Sequence, residues 1–166
     1  MNLWPRLTTV AFVTVLLVAP SAGAFQPGFM TGSGSVTTDD GTMVVGHHFE
    51  LHCEFPGGTD VDDPNTLVIT WGGEKWMLET LTKAGCEDRN RFDQRPPAAA
   101  FDTYNGEGEG ECSKDPGPAY AKWEFTDQGE PGSKDTAWIR VECPNSVIEV
   151  RGKLEAGNHQ AHNAHP

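Results

Sequence analysis

Residues Thr66 to Leu81 read TLVITWGGEKWMLETL, and this stretch decides the fold. Thr66 to Trp71 is rich in β-branched and aromatic residues, Lys75 to Leu81 continues the pattern, and Gly72-Gly73-Glu74 lies between them. A two-residue Gly-Gly turn suits a hairpin because its central residues take positive φ, which glycine adopts without steric cost. Such a turn pairs Ile69 with Trp76 and Leu67 with Leu78, which gathers the apolar side chains on one face.

Working outward, segments of period 2 recur at roughly ten-residue spacing, and no stretch shows a 3.6-residue period. Ser33 to Thr38 and Thr42 to Val45 flank the turn sequence Asp39-Asp40-Gly41. Phe49, Leu51 and Cys53 alternate with His48, Glu50 and His52. From Phe101 to Cys112, Gly106, Gly108, Gly110 and Cys112 share one face, and Glu107, Glu109 and Glu111 the other. Ala121, Trp123 and Phe125 then point inward, as do Ala137, Ile139, Val141 and Cys143, and finally Ile148, Val150 and Leu154. Residues 82–100 read as a long connection containing Pro96 and Pro97. The fold expected is all-β, an antiparallel β-sandwich of about eight strands.

The first 24 residues read as a secretory signal. Arg6 supplies a positive n-region, Val10 to Val18 is apolar and too short for a bilayer span, and Ala22-Gly23-Ala24 offers a cleavage site before Phe25. The expected organisation is a signal peptide at 1–24, one β-sandwich domain at 25–156 and a His-containing polar tail at 157–166. The chain carries a formal net charge of −12, and loss of Arg6 makes the mature protein more negative still. Nucleic-acid binding through phosphate neutralisation is therefore excluded as a leading function, and no membrane insertion is expected once the leader is gone. An apolar share of about 32% in the mature part is low for a self-supporting core. Four cysteines in an oxidising compartment supply the missing stabilisation as two disulfides, with three pairings open. By alternation Cys112 and Cys143 both point inward.

Several runs carry a family resemblance: Gly46-His47-His48-Phe49-Glu50-Leu51-His52-Cys53, Trp71-Gly72-Gly73, Pro97-Ala98-Ala99-Ala100-Phe101-Asp102-Thr103-Tyr104, Phe125 to Gly132 with Asp135-Thr136-Ala137, and Gly157-Asn158-His159-Gln160-Ala161-His162. Together they resemble a bacterial exported β-domain of unassigned activity, usually found at the end of larger surface proteins near immunoglobulin-like or hyalin-type repeats. The resemblance implies a Cys53 to Cys86 bond and leaves Cys112 and Cys143 as a second pair. It also implies secretion, to the cell exterior or the periplasm.

Candidate sites follow from residue type. Asp127, Glu130 and Asp135 crowd hard oxygen ligands around the Gly129 to Gly132 turn, a set suited to Ca²⁺, and the resemblance includes all three acids. Asp60, Asp62, Asp63 and Asn65 form a second acidic loop, read as a solvated turn. His47, His48 and His52 lie near Cys53, and His159, His162 and His165 repeat every three residues. The latter would suit Zn²⁺ or Cu²⁺ on a helical turn, whereas His47 and His52 fall on opposite faces of a strand. No G-x-S-x-G, H-E-x-x-H or phosphate-binding glycine loop occurs. The Glu107, Glu109 and Glu111 ladder lies on one strand face, not across a cleft as glycoside hydrolysis requires. Trp138 falls on the polar face with Thr136, Arg140 and Glu142, a platform for stacking on sugars or anchoring a protein. The functional expectation is a non-catalytic secreted or cell-surface binding or adhesion module for an extracellular protein or glycan. A Ca²⁺-dependent carbohydrate binder and a minor extracellular hydrolase are the alternatives.

Overall fold

The computed structural model describes residues 28–53, 64–89 and 99–163. The expected leader, the Asp60 to Asp63 acids and His165 lie outside them. In chain order the strands are β1 (Gly28–Thr37), β2 (Val44–His52), β3 (Thr66–Trp71), β4 (Glu74–Glu87), β5 (Thr103–Cys112), β6 (Asp115–Thr126), β7 (Thr136–Cys143), β8 (Ser146–Lys153) and β9 (Ala156–Asn163). A single 3-10 turn at Gly132–Lys134 interrupts the β6 to β7 connection.

The deciding hairpin forms as its sequence dictates. Gly72 and Gly73 take φ of +49° and +75°, and Ile69 stands opposite Trp76. Both side chains are fully buried. Hairpin follows hairpin through β8, every pairing is antiparallel, and β9 returns to lie beside β1. The result is one nine-stranded sheet in the order β8-β7-β6-β5-β4-β3-β2-β1-β9. The sheet curls until its inner face closes on itself. Thus β2 and β6 stand four places apart, yet the Phe49 and Phe125 rings stack with centroids 4.3 Å apart.

Curvature has a local cause in β4. Its register slips between Leu78 and Thr80 and again between Leu81 and Lys83, which places an extra residue at each point. These two bulges let Leu78, Leu81 and Ala84, spaced by three, face Gly110, Gly108 and Gly106 in turn. The bulges also carry β4 to Glu87, so residues 82–87, expected in a loop, are strand. Opposite them, the glycines of β5 leave room for large rings. The Trp123 indole lies over Gly106 and Gly108, and the Trp76 indole over Gly110. Both tryptophans are almost wholly buried.

Two disulfides staple this core, Cys53 to Cys86 and Cys112 to Cys143. Each ties the ends of strands two places apart in the sheet, and in a chain-entropy model each closed loop contributes on the order of 3 to 4 kcal/mol. They fit an oxidising compartment. No helix among the described residues is long and apolar enough to cross a membrane.

The C-terminal segment differs from its expectation. Residues 157–163, expected within a frayed polar tail, belong to β9, whose His159 and Ala161 are buried. Gly, Asn, Gln and His are weak strand formers, so periodicity hides this strand. Its order comes from partners on both sides: β1, and the connection between β6 and β7.

Candidate functional site

Inward packing of Ala137, Ile139, Val141 and Cys143 forces the alternate residues of β7 outward. Trp138 is one of these, half-buried beside Arg140 and Glu142. Its indole N–H donates to Glu149 Oε1 at 2.9 Å, and the Arg151 guanidinium sits 5.4 Å from its ring centroid. The second Glu149 oxygen accepts from Arg140 Nη1 at 2.9 Å. These two contacts, the indole first, hold the Glu149 carboxyl below its usual range. Trp138 is therefore held in one orientation.

Cross-strand register lines up the neighbouring charges. Lys83, Glu107, Lys122, Arg140 and Glu149 form one row across β4 to β8. Glu107 takes both lysines, Lys83 at 3.2 Å and Lys122 at 3.0 Å. Exposed pairs of this kind are worth at most about 1 kcal/mol each, so the row fixes side-chain positions more than it stabilises the fold. The next row holds Asn105, Glu124, Trp138 and Arg151. Between the rows lies a groove of about 410 Å³, bordered by Lys83, Glu87, Asn105, Lys122 and Trp138. Two further hollows, of about 250 and 330 Å³, lie on either side of Tyr120. Tyr120 is 50% exposed. The sequence reading passed it over, although inward packing of Ala121, Trp123 and Phe125 requires it to face out.

The three acids expected to bind Ca²⁺ have another role. Asp127 Oδ1 accepts from the Gly129 N–H and Oδ2 from the Ala161 N–H, at 2.8 and 2.9 Å. Asp135 Oδ1 accepts from the Gln128 N–H and Oδ2 from the His159 N–H, both at 2.8 Å. Glu130 Oε1 accepts from the Asn158 and Gln160 side-chain amides, both at 2.9 Å. Among the described residues no three His, Cys, Asp or Glu side chains converge as an ion site requires. These oxygens accept from N–H donors, most of them on β9. His159 and Ala161 amides point away from β1, and the two aspartates stand in for the missing neighbouring strand. Burial pushes the Asp135 carboxyl up to about 6, against the pull of its two backbone donors.

The histidines separate by face, as their spacing requires. His47 and His159 meet inside the sheet, Nε2 to Nε2 at 2.7 Å. The Thr126 carbonyl can only accept, so the 3.0 Å contact places a proton on His159 Nδ1. His159 Nε2 then accepts from His47 Nε2–H. Burial keeps both rings neutral, with His47 lowered to about 3 and His159 to about 4. His47 also stacks on Phe125 with centroids 4.9 Å apart, which makes the pair part of the core. On the outer surface Phe29 lies between His52 and His162, stacked on both. Among the described residues, His159 and His162 lie on strand β9 and not on a helical turn.

A second buried acid, Asp102, was not singled out in sequence. It accepts from the Thr103 hydroxyl at 2.6 Å and the Arg89 N–H at 3.0 Å, and burial raises its carboxyl to about 6. The Arg89 side chain pairs with Glu124 at 2.8 Å and Glu87 at 3.4 Å. Compared with known proteins, the chain matches no family model, no curated protein and no solved structure.

Proposed function

We propose that this chain is a non-catalytic binding module, exported to the cell exterior or the periplasm, that contacts its ligand through the outer face of β4 to β8 around Trp138. The observation that carries the reading is the fixed Trp138 indole beside an open groove rimmed by Lys83, Glu87, Asn105 and Lys122. A side chain already held by Glu149 and Arg151 loses little conformational entropy on binding, which favours affinity. The leader, the acidic mature charge and the resemblance to exported surface modules support the compartment. Two disulfides agree with it.

The ionisable groups of the core and of the β6 to β7 connection support a binder over a hydrolase. Asp127, Asp135 and Asp102 accept from backbone amides, and His47 and His159 face each other inside the core. None of them opens onto the Trp138 groove. The test is retention of the purified protein on envelope preparations of the producing cells, for wild type and Trp138→Ala. The proposal expects retention of wild type and at least a tenfold loss for the variant, with both melting at similar temperature. Equal retention of the two, or turnover of generic ester, peptide or glycoside substrates, would overturn it.

A further inference from the structure

We infer that the ligand of this face is an uncharged polysaccharide chain lying lengthwise along β6, between Tyr120 and Trp138. The inference rests on the binding reading above and names the ligand for that same surface.

The first argument is spacing. Tyr120 is opposite Glu142, and Trp138 is opposite Glu124 one strand away. Four residues of β6 therefore separate the two rings along the strand, about 13 Å at 3.3 Å per residue. A sugar ring presents a flat apolar C–H face that packs on an aromatic ring, and linked sugars repeat that face along a chain. Two rings on one face of the sheet, set apart along one strand, suit such a repeating ligand.

The second argument is what lies between the rings. Lys122, Arg140, Glu107 and Glu142 border the intervening hollow, where hydroxyl groups find both donors and acceptors. Hydrogen bonds to charged side chains are the stronger kind. Lys122 and Glu107 also border the Trp138 groove, and Tyr120 borders the hollow that continues toward Pro118. The three depressions thus follow one another along β6.

Charge selects among glycans. Lys83, Lys122 and Arg140 are each engaged by a carboxylate on this face, and Arg151 covers one side of Trp138. Glu79, Glu109 and Glu111 add negative charge around the Tyr120 hollow. An anionic polymer meets net repulsion here, and an uncharged one does not. A protein ligand fits less well, because protein interfaces form around an apolar centre. The centre of this face is a row of charges.

The experiment is binding of the disulfide-intact protein to soluble polysaccharides by affinity electrophoresis and titration calorimetry. Neutral glucans, mannans and galactans form one set of probes; polygalacturonate and alginate form the other. The expected result is binding to at least one neutral polymer, with less than about a twofold change between low and high salt. Trp138→Ala and Tyr120→Ala should each weaken it about tenfold or more, Trp138→Phe should restore much of the loss, and Val147→Ala should leave it unchanged. Binding confined to the anionic polymers, or unaffected by both aromatic substitutions, would overturn the inference. Failure to bind any neutral polymer while Trp138-dependent retention on envelope preparations persists would overturn the glycan assignment alone. Loss of that retention as well would overturn the binding reading beneath it.

Discussion

Replacing Gly106 by alanine tests whether the Trp123 indole lies directly on β5. Gly106 has no positive φ, so alanine meets no backbone strain there and the cost is purely steric. A Cβ at this position would fall within 3.0 Å of three atoms of the Trp123 ring. To regain van der Waals contact the ring must retreat by about 1 Å. It has nowhere open to go, being 1% exposed and packed near Trp76 at a centroid distance of 6.3 Å. Overpacking of this kind costs roughly 1 to 3 kcal/mol, which for a chain of this size lowers Tm by roughly 3 to 15 °C.

Two neighbours calibrate the effect. At Gly110 the added Cβ would strike the Met77 carbonyl oxygen, and a backbone atom cannot rotate aside as a side chain can. Gly110→Ala must therefore pry β4 from β5 and should destabilise more than Gly106→Ala. Glu109→Ala, between them on the exposed face, should stay within about 0.5 kcal/mol of wild type. Urea denaturation followed by near-ultraviolet circular dichroism reads both stability and tryptophan packing. A Gly106→Ala protein as stable as Glu109→Ala, with an unchanged tryptophan signal, would refute the packing of Trp123 on a glycine floor.

Other outcomes follow from the same structure. Non-reducing peptide mapping should recover Cys53 linked to Cys86 and Cys112 linked to Cys143, and breaking either bond should cost on the order of 3 to 4 kcal/mol. Asp127→Ala leaves the Ala161 N–H without its acceptor and should cost about 1 to 3 kcal/mol, with faster hydrogen exchange confined first to β9. The pH response of His47 is read from the difference between wild type and His47→Gln. Its folded pKa, about 3, is below the ordinary 6.5, so the unfolded chain binds the extra proton and the folded protein loses stability as pH falls below 6.5. The destabilisation caused by His47→Gln at pH 7.5 should therefore shrink by up to about 1.4 kcal/mol per unit on acidification. Asp135 and Asp102 have the opposite sign. With folded pKa values of about 6 they retain protons that the unfolded chain releases, so their contribution is full below about 3.8 and lost as pH rises through 6. His159, lowered to about 4, acts in the same direction as His47, so two histidines and two aspartates oppose one another and wild-type stability should change little between about pH 4.5 and 6, as denaturant titrations across that range would show.

The strands with apolar alternation were legible in the sequence because burial on one face imposes period 2. Thr66–Trp71 keeps its predicted limits, and the Gly72-Gly73 turn sets the expected register. What escaped was structure in which the period fails or the apolar residues are absent. The bulges in β4 change the spacing of Leu78, Leu81 and Ala84 from two to three, so the strand reads as ending where it only bends. β9 has almost no apolar signal, since His159 is its largest buried side chain. The outward position of Trp138 was readable from its neighbours, but the Glu149 and Arg151 contacts that fix it depend on β8 register, which no local pattern specifies.

Acidity in this protein has two uses that composition alone cannot separate. On the outer face, glutamates hold Lys83, Lys122 and Arg140 in place. In the β6 to β7 connection, aspartates do the work of a strand. The β9 edge would otherwise present the His159 and Ala161 amides unpaired, a cost in the interior and an invitation to pair with another chain. Asp135 and Asp127 accept from those two amides, two residues apart and hence on the same edge of β9. A third strand-like contact, from the Leu154 N–H to the Asp135 carbonyl at 2.9 Å, anchors the turn that leads into β9. The curled sheet is thereby closed by side-chain carboxylates at its weakest edge. That closure uses the acids where a calcium site was expected, and Tyr120 and Trp138 take no part in it.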